Sequence, residues 1–127
     1  MKLWLDDVRP APKGYVWCKS VNEAKAEIAV AEQQQKEFYE KAPTRLRVYD
    51  LRGYHKMLEM SNRREIEFID CDHDLGDYAK DGGDGVRLLD WLEATGRNYP
   101  IRIHSANVVG VQNMRRIIER NGWTEIR

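Results

Sequence analysis

The sequence predicts an α/β fold, a single domain built around a mostly parallel sheet. Short apolar runs typical of strands alternate along the chain with amphipathic stretches typical of helices, an order that favours parallel strands joined by helical crossovers. The length of 127 residues suits one domain with its own core and is too short for two. Polar residues follow several of the apolar runs, so the sequence also predicts a site at one edge of the sheet.

The composition narrows the classes of function. Basic and acidic side chains balance at 21 each, so we expect neither a broad nucleic-acid-binding surface nor an attraction to anionic membranes. The sequence has no recognisable secretory signal and no apolar stretch long enough to span a membrane, and we therefore expect a cytoplasmic protein. Cys18 and Cys71 both lie in apolar runs, which predicts reduced core thiols rather than a disulfide.

Local patterns place the elements of the predicted fold. The predicted strands are Lys2 to Leu5, Tyr15 to Lys19, Ile66 to Ile69, Ile101 to Ile103 and Trp123 to Ile126. The first helix should begin at the capping box formed by Ser20 and Glu23. The second should follow a cap at Asp84 and end at Gly96, and the third should cover Val108 to Arg120.

Two segments carry less specific patterns. Residues Thr44 to Arg64 do not fit the alternation and are predicted to form an insertion before the central strand, with an extra strand or a short helix as the possible contents. His55 lies in this insertion and receives no role. The glycine-rich stretch Lys80 to Gly85 could cradle a phosphate at a helix N-terminus. It lacks the spacing of a Walker loop, so a plain turn is the preferred interpretation.

Polar side chains follow three of the predicted strands. The clusters are Asp6-Asp7, Asp72-His73-Asp74 and His104-Ser105-Ala106-Asn107. Right-handed crossovers would bring all three to the same edge of one sheet, where open α/β folds bind their ligands. Each cluster alone is weak evidence, because paired aspartates are common in loops and a lone histidine is often structural. Their combination predicts a functional site.

The carboxylates of these clusters predict a divalent metal. Crowded carboxylates raise one another's pKa unless a cation compensates. Oxygen ligands without a Cys/His quartet suit Mg²⁺ or Mn²⁺ better than zinc. The candidate metal ligands are Asp6, Asp7, Asp72 and Asp74.

In this sequence the first strand is followed by Asp-Asp, the central strand by Asp with Leu and Gly after it, and the fourth strand by Ser-Ala. This order resembles that of the receiver domain of two-component signalling. The resemblance implies a doubly wound, flavodoxin-like fold with a five-stranded parallel sheet. It also implies that Asp6 and Asp7 hold Mg²⁺, that Asp72 matches the phosphoacceptor and that Ser105 binds phosphoryl oxygens. The receiver's last-strand lysine has no counterpart in Trp123 to Arg127.

Three motifs are more specific and resemble the cyclic-phosphate processing receiver domain. They read LWLDDVRPAP, DHDLGD and IHSAN, and the resemblance spans most of the chain apart from Thr44 to Arg64. It implies action on cyclic phosphates of nucleotides or RNA ends. The expected partner is therefore a phosphorylated small molecule or an RNA end.

The leading hypothesis is a metal-dependent phosphoesterase that opens a cyclic phosphate. His73 and His104 would act as general acid and base at a site that includes Asp72, and the residues expected to hold the phosphate are Arg9, Ser105 and Asn107. One alternative is a degenerate receiver with Asp72 as phosphoacceptor, which the missing lysine and the two added histidines disfavour. The other is a noncatalytic module that binds a cyclic nucleotide or a partner.

Overall fold

The computed structural model describes residues 1–41 and 65–127. The elements in chain order are β1 (Lys2–Leu5), β2 (Tyr15–Cys18), α1 (Val21–Lys41), β3 (Phe68–Cys71), a 3-10 helix (Gly76–Lys80), α2 (Val86–Ala94), β4 (Ile101–Ile103), α3 (Val108–Asn121) and β5 (Glu125–Ile126). The insertion predicted for residues 44–64, with its extra strand or short helix, lies outside the described residues and stays a prediction. Within the described residues, no helix has both the length and the apolar character needed to cross a membrane.

The five strands form one parallel sheet in the order β2-β1-β3-β4-β5. This confirms the predicted fold class, a receiver-like α/β fold with a five-stranded parallel sheet. The inner strands β1 and β3 are neighbours, as predicted, and β4 lies beside β3. Each of these three strands points its carboxyl end at the same edge of the sheet, which is the edge that carries the polar clusters.

The central strand lies two residues further along the chain than predicted. It covers Phe68–Cys71 rather than Ile66 to Ile69, so Asp70 is inside the strand instead of following it. Ile69 lies in the hydrophobic core, and Asp70, the next residue in the strand, points to the opposite face of the sheet. A carboxylate is tolerated at this inner position because Asp70 is paired there with His104.

The hydrophobic core lies between one face of the sheet and the described helices. Each helical connection runs across the sheet in the same direction, so right-handed crossovers put α1, α2 and α3 on the same face. The buried residues of the sheet and of the helices form a single cluster; among them are Leu3, Leu5, Ile28, Ile69, Cys71, Leu88, Leu89, Leu92, Ile101, Met114 and Ile118. This layer holds the strand ends rigidly in place.

Both cysteines are free and buried, as predicted. Burial, with smaller contributions from Glu27 and Glu23, raises the pKa of the Cys18 thiol to about 12. Burial also raises the pKa of Cys71 strongly, with Asp70 acting in the same direction. Both side chains therefore behave as small core residues at neutral pH.

The helix start predicted at Ser20 is confirmed, but the capping box is only half formed, because Glu23 bonds to the amide before Ser20 rather than to that of Ser20. The Ser20 hydroxyl accepts a hydrogen bond from the Glu23 amide at 3.1 Å, and the Glu23 carboxylate accepts one from the Lys19 amide at 2.8 Å. The Ser20 hydroxyl also donates to the Asp81 carboxylate at 2.6 Å. This bond ties the start of α1 to the loop that follows β3.

The cap predicted at Asp84 is wrong. The residue before α2 is Gly85, which has no side chain to cap with, and the Asp84 carboxylate accepts a hydrogen bond from the Leu75 amide at 3.1 Å instead. The Gly85 amide donates to the carbonyl of His73 at 2.7 Å. Asp84 and Gly85 therefore join the end of the loop after β3 to its beginning, and these bonds fix the backbone around His73.

The second face of the sheet carries aromatic and charged side chains. Tyr15 lies edge-on to Trp4 at 5.9 Å and to Phe68 at 5.8 Å between ring centroids. Trp4 also stacks on His104, with ring centroids 3.9 Å apart and planes 8° from parallel. This face thus reaches the polar edge of the sheet through His104.

Candidate functional site

The three polar clusters meet at the carboxyl ends of β1, β3 and β4. Asp6 and His104 follow β1 and β4, and their side chains are hydrogen-bonded at 2.9 Å. Ser105 follows β4 and lies close enough to Asp72, which follows β3, for its hydroxyl to lower the pKa of that carboxyl. The structure therefore places Asp6, Asp72 and Ser105 at one edge of the sheet, because adjacent parallel strands end together.

Three carboxylates form the centre of the site. Asp6, Asp7 and Asp72 each offer one oxygen atom, and these atoms all lie within 4.8 Å of one another. We call this group the acid cluster. Asp6 is buried, whereas Asp7 and Asp72 are half-buried, so the cluster is open to solvent on one side.

Asp6 is the most firmly held member of the acid cluster. One carboxylate oxygen accepts hydrogen bonds from the amides of Val8 and Arg9 at 2.9 and 2.8 Å, and the other contacts His104. Asp7 is held by close packing, because a Cβ added at Gly76 would lie 2.6 Å from its Oδ2 atom. The turn at Gly76 thus leaves the space that the Asp7 carboxylate occupies.

The negative charge of Asp72 is only partly compensated by its surroundings. Burial and the neighbouring Asp6 carboxylate raise its pKa, although the amide of His73, the charge of His104 and the hydroxyl of Ser105 act in the opposite direction. A divalent cation would relieve this repulsion. Carboxylate oxygens at this spacing fit Mg²⁺ or Mn²⁺, which prefer hard oxygen ligands.

His104 is held on both sides by buried carboxylates. Its Nδ1 atom lies 2.6 Å from Asp70 and its Nε2 atom 2.9 Å from Asp6, and both of these aspartates are almost completely buried. Burial alone would lower the pKa of His104, but the hydrogen bonds to Asp70 and Asp6 outweigh it and raise the pKa. Ionised carboxylates only accept hydrogen bonds, so two such partners and the raised pKa both favour the imidazolium form of His104.

His73 is held on one side only. Its Nδ1 atom lies 2.8 Å from Asp74, and its ring packs so closely against Gly110 that a Cβ there would lie 2.4 Å from the ring. Hydrogen bonds from His73 and Asn107 lower the pKa of Asp74. The ionised Asp74 carboxylate therefore accepts a hydrogen bond from Nδ1, and no described residue hydrogen-bonds to Nε2.

Asp74 lies outside the acid cluster. It forms a separate group with His73 and Asp84, and the Asn107 amide donates to both of its oxygens at 3.1 and 3.2 Å. The structure thus divides the predicted metal ligands, with Asp6, Asp7 and Asp72 together and Asp74 beside His73.

The three predicted phosphate ligands differ in which of their groups already have hydrogen-bond partners. Arg9 is exposed, and its backbone binds Asp6 through the amide and Trp4 through the carbonyl. The Ser105 hydroxyl accepts a hydrogen bond from the backbone amide of Asn107 at 3.1 Å. Asn107 uses its side chain to cap α3 and to hold Asp74. Of the three, Ser105 is the one whose side chain affects the acid cluster, since its hydroxyl lowers the pKa of Asp72.

Sequence reasoning missed three contributors to the site. Asp70 pairs with His104, Trp4 stacks on the same ring, and Gly110 makes room for His73. Of these, only Gly110 leaves a signal in the local sequence. A glycine in the first turn weakens a helix, so its presence there suggests that a neighbouring side chain needs the space. Asp70 and Trp4 carry no such signal, since their roles depend on contacts across the sheet.

Comparisons with known proteins give one match. The model of the family described as the cyclic-phosphate processing receiver domain matches residues 1–41 and 39–120. Neither the curated proteins nor the solved structures include a significant match. The matched residues contain the three strand-end motifs and all but the last strand of the receiver-like sheet. The chain therefore belongs to the cyclic-phosphate processing receiver domain family.

Proposed function

We propose that this protein is a metal-dependent phosphoesterase that opens cyclic phosphates of nucleotides or RNA ends. The family description associates the chain with cyclic-phosphate processing, which leaves open whether it hydrolyses or only binds its target. The observation that carries the proposal is the acid cluster together with His73, which follows Asp72 in the chain and whose Nε2 atom has no hydrogen-bond partner among the described residues. A cation site and a proton carrier together suit hydrolysis, whereas binding alone needs no proton carrier.

The acid cluster is the proposed metal site. Asp6, Asp7 and Asp72 would hold Mg²⁺ or Mn²⁺. The bound cation would neutralise charge on the phosphorus oxygens and acidify a water molecule. Asp6 supplies a rigid ligand because both of its oxygens are already oriented, and Asp7 and Asp72 supply the solvent-facing ones.

His73 is the proposed proton carrier. When a cyclic phosphodiester opens, the oxygen of water bonds to phosphorus, the bond from phosphorus to one sugar oxygen breaks, and that sugar oxygen takes up a proton. The Asp74 carboxylate fixes the proton on Nδ1, so Nε2 of His73 is the atom that can exchange a proton with water or the sugar.

The remaining predicted residues have positioning or binding roles in this proposal. Ser105 and Arg9 would contact the phosphate oxygens. Asn107 orients Asp74 and the start of α3. The role of His104 as acid or base stays a prediction; the engagement of both its nitrogens favours a role in orienting Asp6 and in providing fixed positive charge beside the acid cluster.

The second candidate is a receiver-type phosphoacceptor with Asp72 as the acceptor. Its specific support is the half-buried Asp72 carboxylate just after the central strand, with the Ser105 hydroxyl near it. Such a protein would retain a phosphoryl group on Asp72 after exposure to a small phosphodonor. Intact mass then distinguishes the two functions, because the phosphoesterase should show no stable label.

The proposal is tested by turnover and metal binding together. The purified chain with Mg²⁺ or Mn²⁺ is incubated with 2′,3′-cyclic nucleotides, 3′,5′-cyclic nucleotides and RNA carrying a terminal cyclic phosphate, and products are identified by mass. We expect a phosphomonoester from at least one class. Asp7→Asn and Asp72→Asn should each weaken metal binding measured by calorimetry, whereas Asp77→Asn, in the exposed 3-10 helix, should leave it unchanged. Equal metal binding by wild type and both cluster variants would contradict the metal site.

A further inference from the structure

Exposed apolar side chains surround the acid cluster. Among the described residues, the large hydrophobic side chains that are exposed are Val8, Trp17, Val30, Tyr78, Val108 and Val109. Val30 lies in the middle of α1. The others lie near the carboxyl end of β1 or β2, in the 3-10 helix after β3, or in the first turn of α3. Exposed apolar groups concentrated around a polar centre indicate a surface that binds a ligand with an apolar part.

Trp17 is tied directly to the acid cluster. Its indole nitrogen donates a hydrogen bond to the carbonyl oxygen of Asp6 at 2.7 Å. The ring is nevertheless 38% exposed. The backbone that positions a buried carboxylate thus also positions an exposed aromatic face, with little conformational freedom left to lose on binding.

Lys19 lies between Trp17 and a second exposed ring. Its ammonium nitrogen is 4.8 Å from the centroid of Trp17 and 6.0 Å from the centroid of Tyr78. Tyr78 is 39% exposed. In the described part of the chain, no carboxylate forms an ion pair with Lys19, so its charge is available to an anionic ligand.

We propose that Trp17, Lys19 and Tyr78 form a nucleobase subsite, with the base stacked on an aromatic ring and Lys19 near the sugar-phosphate. The inference rests on the proposed function and names the residues that would hold the base of its nucleotide or RNA substrate. Proteins bind unpaired bases by stacking them on aromatic side chains and by placing cations along the backbone. Removing such a ring lowers affinity by about 10-fold or more.

A cavity on the other side of the acid cluster is the competing location for a base. It measures about 330 Å³ and is lined by Ile103, Ser105, Val108, Val111, Gln112 and Arg115. This lining contains no aromatic ring for stacking, and Arg115 is already paired with Glu125 at 3.0 Å. The Trp17 side is therefore favoured, and the cavity supplies the comparison variant.

The test compares ligands with and without a base. Binding of adenosine 2′,3′-cyclic phosphate and of the 2,3-cyclic phosphate of 1-O-methylribose is measured by calorimetry on the whole chain with Mg²⁺. The wild type should bind the nucleotide about 10-fold more tightly. Tyr78→Leu should remove most of this preference and leave affinity for the base-free ligand unchanged. Trp17→Leu should also remove most of it, whereas Trp17→Phe, which loses the same hydrogen bond to Asp6 but keeps a ring, should keep most of it.

Two control variants locate the effect. Val30→Ala removes an exposed apolar side chain far from the strand ends, and Gln112→Ala alters the competing cavity; both should retain the preference for the nucleotide. Loss of the preference in Gln112→Ala, with none in Trp17→Leu and Tyr78→Leu, would overturn the subsite. If Trp17→Leu does not fold, Tyr78→Leu and Trp17→Phe decide the matter.

Turnover measured in parallel separates this inference from the proposed function. Equal turnover and binding of the two ligands, unchanged in Trp17→Leu and Tyr78→Leu, would overturn the subsite and leave the phosphoesterase intact. Absence of turnover on every cyclic phosphate, with nucleotide binding still dependent on Trp17, would overturn the phosphoesterase and support the subsite.

Discussion

His73 and His104 follow neighbouring strands at one edge of the sheet and both contact aspartates, yet their surroundings differ. The ring of His104 stacks on Trp4 and has carboxylates at both nitrogens. The ring of His73 has a carboxylate at one nitrogen and no described partner at the other. The sequence motifs treat the two as equivalent. The difference teaches that a histidine's role depends on which of its nitrogens the fold leaves free.

The two environments also differ in charge. Asp6 and Asp70 are 1% and 2% exposed, so a positive charge on His104 would compensate two buried carboxylates. Asp74, which contacts His73, is exposed, and hydrogen bonds from His73 and Asn107 lower its pKa. His104 therefore helps to hold Asp6 in the acid cluster, whereas His73 is the proposed proton carrier.

The largest expected effect is on turnover in His73→Gln. Loss of a positioned general acid or base lowers the rate by about 10²–10⁴-fold, and the change should appear in kcat with little change in ligand or metal affinity. The pH–rate profile should lose one limb. The measurement is steady-state turnover of the best cyclic phosphate between pH 5 and 9. Wild-type kcat in His73→Gln, at unchanged stability, would remove His73 from the mechanism.

The next effect is on stability in His104→Ala. Removing the ring leaves Asp6 and Asp70 buried without their cation, which costs up to about 3 kcal/mol of unfolding free energy, the lower end of the range for buried pairs because the ring is 14% exposed. Urea unfolding of the metal-free protein measures it. His73→Ala is the matched control and should lose clearly less unfolding free energy. Equal losses in the two variants would show that the two histidines do not differ in their contribution to stability.

The smallest effect is the pH dependence of that stability. Asp70 and Asp6 raise the pKa of His104 in the folded state, above the unfolded value of about 6.5. Its stabilising contribution is therefore complete below about pH 6.5 and is lost as pH rises through the folded pKa. We expect the stability difference between wild type and His104→Ala to shrink between pH 6.5 and 9 in metal-free buffer. A difference that grows with pH would contradict a charged His104.

Local patterns determined much of the fold. The helix start at Ser20 and the end of α3 at Gly122 depend on hydrogen bonds between residues close in sequence, and the apolar runs identified the strands. The convergence of polar strand ends also followed from the sequence, because parallel strands with right-handed crossovers leave few arrangements. The motifs at those ends indicated the family that the comparisons then showed.

Only the tertiary structure decided how the site residues pair. His104 contacts Asp70 and Asp6, which lie 34 and 98 positions away in the sequence, and no local pattern specifies such partners. The same holds for Asp84, which bonds to Leu75 rather than capping α2, and for Asp74, which joins His73 rather than the acid cluster. Periodicity reports which face a residue occupies, but the partner it meets depends on strand register and on how the loops fold over the sheet edge.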